Sequence, residues 1–171
     1  HRNGRNRTGF RNMTGPNHNL AQVNIARMLA PIDSPVMTDF VNNLERINAL
    51  AEESKGFVWR LTDEENDATA LRVFEDDFLI INMSVWESRD ALFDFTYKSD
   101  HVAIFARRKE WFSNIEDMHM VLWYIEAGHE PTPEEAKARL KYLNEKGATP
   151  FAFSFKDTFT VEEATHYKPE K

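Results

Sequence analysis

The 171-residue sequence contains no cysteine. This excludes disulfides, thiolate nucleophiles, iron–sulfur clusters and thiolate zinc sites, and it fits a reducing, cytoplasmic setting. The sequence also lacks any apolar run near the ~20 residues a membrane-spanning helix requires, and no stretch has the order of a signal peptide. No Gly-rich phosphate loop, His-Glu-x-x-His, Gly-x-Ser-x-Gly or EF-hand loop occurs, which removes the commonest motif-borne chemistries. The histidines show no short helical ligand spacing, so no metal site is expected.

Basic charge is scarce and lopsided. Four of the 21 basic residues (Arg2, Arg5, Arg7, Arg11) fall in His1–Asn12, leaving 17 against all 28 acids, a balance of −11. An acidic body repels nucleic acid and anionic membranes, and no aromatic motif of the RNA-recognition type is present. Residues 1–18, rich in Asn, Gly and Arg, read as a disordered leader, with Met13 as the expected native start. One α+β domain is expected over 19–160 and a loose tail over 161–171.

Aromatics are plentiful, with 13 Phe and 4 Trp, so the core should be built on rings. Period-two alternation marks strands at Leu20–Arg27, Phe57–Leu61, about Phe78–Trp86, Met118–Ile125 and Phe151–Phe155. An acidic turn at Asp63–Asp67 separates the second and third strands, and Leu71–Phe74 extends the third or forms an edge piece. A first helix opens at Ser34-Pro35 and carries Val36, Phe40, Leu44, Ile47 and Ala51 at helical spacing. Ser88 caps a short helix over Arg89–Tyr97, and a further helix is expected over His101–Ser113. Thr132-Pro133-Glu134-Glu135 is a capping box opening a helix that stops at Gly147. The order β-α-β-β-α-β is the split β-α-β signature of a ferredoxin-like antiparallel sheet. Helices are expected on one face only.

Third-strand residues Leu79, Ile81, Met83 and Val85 form an aliphatic face suited to lie under helices. The opposite face holds Asn82, Ser84 and Trp86. Gln22 and Asn24 on the first strand, Arg60 on the second, and His119 with Trp123 on the fourth are the other polar and aromatic candidates. Together they describe either a ligand pocket or a solvated sheet face with scattered aromatics, because an unpartnered buried polar group costs about 1–3 kcal/mol. The expected His101–Ser113 helix adds His101, Phe105, Arg108 and Phe112 on one stripe, with Trp111 adjacent. These side chains suit an anionic or carbonyl-bearing ligand, or Arg107 and Arg108 pair with Glu110 and Asp100 on the surface. His119 is either a general base or a hydrogen-bonded structural residue. His129 in Gly128-His129-Glu130-Pro131 reads as a turn-orienting residue.

The segments Tyr97-Lys98-Ser99-Asp100-His101, Arg107-Arg108-Lys109-Glu110-Trp111-Phe112 and Leu122-Trp123-Tyr124-Ile125-Glu126-Ala127-Gly128-His129-Glu130-Pro131-Thr132 resemble the family called domain of unknown function 3291. Leu20–Asn24 and Gly56–Arg60 fit the same pattern, and the resemblance spans roughly 19–156. Tyr124 departs from it, Trp being expected there in many relatives. The resemblance implies a dimeric α+β barrel, in which two ferredoxin-like sheets pack face to face around a cavity. That group includes cofactor-independent monooxygenases, haem-degrading enzymes and chlorite dismutases. His101, Arg108, Trp111, His119 and Trp123 match its recurring motifs.

Three functions follow as expectations. The first is a cofactor-independent, monooxygenase-like enzyme, with His119 as base and Arg60 or Arg108 stabilising an anion. The second is a non-catalytic binder of a small ligand. The third is a haem protein with His101 or His119 as axial ligand. A homodimer is expected, to cover the sheet face bearing Trp86 and Trp123.

Overall fold

Strand β1 (His18–Met28) alternates small aliphatic residues with Gln22 and Asn24, and lies in the middle of the sheet. The computed structural model describes residues 17–62, 76, 78–114 and 119–170. The expected leader, apart from its last residues, the acidic turn Asp63–Asp67 and the Leu71–Phe74 piece lie outside them. β1 leads through a 3-10 turn at Pro35–Met37 into α1 (Thr38–Glu53), and then β2 (Phe57–Arg60). β3 (Leu79–Trp86), α2 (Arg89–Lys98) and α3 (His101–Ala106) follow. A 3-10 turn at Arg108–Glu110 leads to β4 (Phe112–Ser113), β5 (Met120–Glu126), α4 (Pro133–Lys146) and α5 (Val161–His166).

β1 pairs antiparallel with both β3 and β5, and β2 pairs antiparallel with β3, giving the order β2-β3-β1-β5. β4 takes the far end of β1, where Arg27 faces Ser113 and Met28 faces Phe112. β1 and β2 therefore run parallel with β3 between them, as do β3 and β5 with β1 between. Two interlocked split β-α-β units make the ferredoxin-like sheet that the sequence pattern predicts.

Register assigns the faces. Ala21, Val23 and Ile25 sit opposite Val85, Met83 and Ile81, and Ala21 and Val23 also face Trp123 and Val121. This aliphatic face is buried against Ala136, Leu140 and Leu143 of α4. Leu20, Trp86 and Leu122 belong to the other face and pack with Ala51 of α1, Leu92 and Phe95 of α2, and Phe153. The expectation of helices on one face is thus corrected. The aliphatic face does lie under a helix, but under the C-terminal α4, while α1 and α2 cover the polar-aromatic face. Trp86 and Trp123 are both fully buried within one chain, so the uncovered face that motivated a symmetric partner is not open.

Three local expectations also change. The helix expected over His101–Ser113 ends at Ala106, and the chain turns so that Trp111 enters the core and its carbonyl accepts the Leu29 N–H over 2.8 Å. That turn frees Phe112–Ser113 to pair with β1. The strand expected over Phe151–Phe155 is reduced to a bridge between Phe153 and Leu122, with Ala152 turning back to Thr149. The expected tail carries a short helix, α5. Thr160 and Glu163 close a capping box on α5, and the Tyr142 and Tyr167 hydroxyls meet at 2.7 Å. Among the described residues no helix is long and apolar enough to cross a membrane.

Candidate functional site

Gln22, Ser84 and Trp86 form a hydrogen-bonded row on the face beneath α1 and α2. β1 and β3 place Gln22 directly opposite Ser84 and Asn24 opposite Asn82. Gln22 Nε2 donates to Ser84 Oγ at 2.8 Å and to Asn82 Oδ1 at 2.9 Å, and Trp86 Nε1 donates to the same Ser84 Oγ at 2.8 Å. Gln22 and Ser84 are buried, Asn24 is half-buried and Asn82 is exposed. The row therefore runs from a closed end at Trp86 to an open end at the two asparagines. Among the described residues, the Asn24 side chain and the Asn82 Nδ2 group have no protein partner, which leaves them free to hydrogen-bond a ligand.

Rings extend this row. Phe57 meets Trp86 edge-on at 5.4 Å between centroids, and Phe95 stacks on Trp86 at 5.2 Å. His101 lies 5.1 Å from Phe95 and stacks with Phe105 at 6.1 Å. His101 Nδ1 is 3.2 Å from the Thr96 carbonyl. A carbonyl only accepts, so this contact places the proton on Nδ1 and leaves Nε2 as the acceptor of the neutral ring. Burial pushes the His101 pKa down, the Thr96 contact opposing it only in part. His101 is therefore a mostly neutral imidazole with one basic nitrogen uncommitted among the described residues.

The other sequence candidates lie apart from this row or are already engaged. Arg60 shares the face, being paired with Ser84 in register, but its Nε donates to Glu52 of α1 at 2.8 Å. Arg108 is exposed, with its guanidinium 4.4 Å over the Phe105 ring. Trp111 is a buried plug against Phe40 and Phe112, and it is Arg107 that stacks on it at 4.9 Å. Arg107 is also held by Asp39 and Glu110, which push its pKa up.

Trp123 belongs to the aliphatic face and donates to Glu135 of α4 at 2.9 Å. His119 is exposed and its carbonyl accepts the Ile25 N–H at 2.9 Å. It has lost the apolar enclosure on which its assignment as a base rested. The amide lining suits a hydrogen-bonded small ligand rather than the apolar face of a haem.

Sequence reasoning passed over a second group. His129 Nε2 lies 2.7 Å from Glu135 Oε1, and both line a cavity of about 510 Å³ with Tyr124 and Arg139. Burial pushes the Glu135 pKa up, but the hydrogen bonds from His129 and Trp123 outweigh it and hold the carboxylate below its ordinary range. The legible signal was the spacing of Glu135 in the capping box. Its contact with a strand Trp was not legible.

The family model described as Domain of unknown function (DUF3291) matches residues 19–169, and the chain belongs to that family. No curated protein matches the sequence. Among solved structures, the NE2512 protein of unknown function from Nitrosomonas europaea is 12% identical with a TM-score of 0.43, covering 70% of this chain and 98% of that one. PA3566 from Pseudomonas aeruginosa is 14% identical with a TM-score of 0.41, covering 66% and 95%. SnoaB from Streptomyces nogalater, described as a cofactor-independent oxygenase, is 16% identical with a TM-score of 0.41, covering 69% and 99%.

Proposed function

We propose that this DUF3291 protein binds a small planar phenolic or carbonyl-bearing molecule on the polar-aromatic face, and oxygenates it without a cofactor. One observation carries the reading. The buried Gln22 amide spends both of its N–H groups on Ser84 and Asn82, and so fixes Asn82, whose own Nδ2 group and the facing Asn24 side chain have no partner among the described residues.

Fixed amide donors stabilise an oxyanion as it forms. His101 Nε2 takes the proton from an acidic C–H of the substrate. The resulting carbanion, delocalised onto its phenolate oxygen at Asn24 and Asn82, gives its electrons to dioxygen, and a C–O bond forms. The hydroperoxide then loses water to leave a carbonyl. A CH₂ group and O₂ become C=O and H₂O, with all electrons supplied by the substrate. Homodimer assembly, implied by the family resemblance, belongs to the same proposal. Its contact lies elsewhere than over Trp86 and Trp123.

Oxygen uptake with anthrone as probe tests the reading. The expected result is uptake with anthraquinone as product, falling by about 10²-fold or more in His101→Phe, which keeps the ring contacts but removes the base. No uptake above buffer overturns the catalytic step. Anthrone binding without uptake leaves the non-catalytic binder.

A further inference from the structure

The cavity beside α4 is built independently of the amide row. It is lined by the end of β5 with Tyr124 and Ile125, by Glu135 and Arg139 of α4, and by Val161 and Ala164 of α5. About 510 Å³ is within the range of small-molecule sites. Arg139 lines it from the second turn of α4.

The state of Arg139 is informative. Its guanidinium carbon lies over the Phe151 ring, 3.7 Å from the centroid, and Nη1 donates a hydrogen bond to the Phe151 carbonyl at 2.8 Å. These contacts hold it in place, while among the described residues most of its five N–H donors remain unused. It is half-buried, and among the described residues it forms no ion pair. Glu135, one turn earlier, is the natural partner. Both of its oxygens are committed instead, Oε1 to His129 and Oε2 to Trp123. Burial pushes the Arg139 pKa down, with Glu135 opposing from a distance. A half-buried cation left unpaired beside a cavity is costly unless an anion completes it.

We infer that this cavity is a second ligand site, taking a small carboxylic acid with a short apolar body. The carboxylate pairs with the planar fork of Arg139, whose geometry matches two oxygens in one plane. The apolar body lies against Tyr124, Ile125, Val161 and Ala164. His129 and Trp123 engage both oxygens of the neighbouring Glu135, and Glu126 on the lining disfavours ligands of larger negative charge.

Calorimetric titration of the full chain with benzoate tests this, with inorganic phosphate as a second titrant. Wild type binds benzoate more tightly than phosphate. Arg139→Gln, and Arg139→Lys with its charge kept and its fork lost, each weaken benzoate roughly tenfold or more. Ala164→Trp, which leaves every Arg139 contact in place and fills the cavity from α5, abolishes binding even where the Arg139 variants fold poorly. Asn82→Ala, in the other site, leaves benzoate unaffected. Absence of benzoate binding to wild type, or retention of binding in Ala164→Trp, overturns the site. Phosphate binding more tightly than benzoate overturns the carboxylate assignment, and loss in Asn82→Ala places the ligand at the amide row instead.

Discussion

Ser84 Oγ accepts two buried N–H groups at once, from Gln22 Nε2 and Trp86 Nε1, both at 2.8 Å. This one hydroxyl ties β1 to β3 beneath α2 and keeps the Trp86 indole in place for Phe95 to stack on it. Ser84→Ala strands two donors that water reaches poorly. The expected loss is about 2 kcal/mol of stability, since each buried unsatisfied group costs about 1–3 kcal/mol. Urea unfolding measures it, and a loss below about 0.5 kcal/mol, the level of an ordinary surface change, would show that the row rearranges freely.

Gly56 is predicted to be the least replaceable glycine of the three with positive φ. At Gly56, φ +86°, an added Cβ would lie 2.5 Å from the Ala91 Cβ of α2, whereas Gly128 and Gly147 open onto free space. All three substitutions to Ala carry the cost of a positive φ, about 1–3 kcal/mol, with Gly147 at ψ −174° in a region essentially confined to glycine. Gly56→Ala adds a clash that must push α2 off the sheet. Thermal melts of the three variants should put Gly56→Ala lowest, and equal melting points contradict the close approach.

Stability should depend on His101 below neutral pH. Its folded-state pKa lies below the ordinary 6.5 because burial disfavours the charged ring. The unfolded chain therefore binds the proton more readily, so this contribution is complete above pH 6.5 and is lost as pH falls. His101→Phe should flatten the dependence of the denaturation midpoint on pH below about 6.5. A wild-type slope unchanged in the variant would assign the effect to other groups.

His119→Gln should leave both stability and turnover near wild type. His119 is exposed, and β5 register puts its side of the strand with Val121 and Trp123, away from Gln22 and Asn82. Steady-state oxygen uptake by the folded variant is the check. A loss of ~10²-fold, the size expected for a missing general base, would restore His119 and displace His101.

The strands and the capped helices were legible because alternation and caps are local. Alternation alone sets Gln22 and Asn24 apart from Val23 within β1, and Asn82, Ser84 and Trp86 apart from Met83 within β3, while the register joins the two sets on one face. Which side that group faces was not legible. Both sheet faces carry apolar residues, and only the packing of Ala136, Leu140 and Leu143 against Val23 and Met83 decides that α4 covers the aliphatic one. Trp123 was misgrouped for a related reason. Alternation orders residues within β5, but the face it shares with β1 depends on a register, Ala21 opposite Trp123, that no local pattern encodes. Arg139 and Glu135 were missed because their meaning comes from partners on Phe151 and Trp123, and those contacts exist only once the sheet has formed.

The most direct test is to record the side-chain amide resonances of the ¹⁵N-labelled full chain while anthrone is added under argon. The proposed site predicts that the Asn24 and Asn82 NH₂ signals shift together and saturate at one equivalent, with the Trp86 indole signal following. It also predicts that the Trp123 indole, hydrogen-bonded to Glu135 on the opposite face, stays where it is. Saturable shifts at Trp123 with Asn24 and Asn82 unmoved would contradict it.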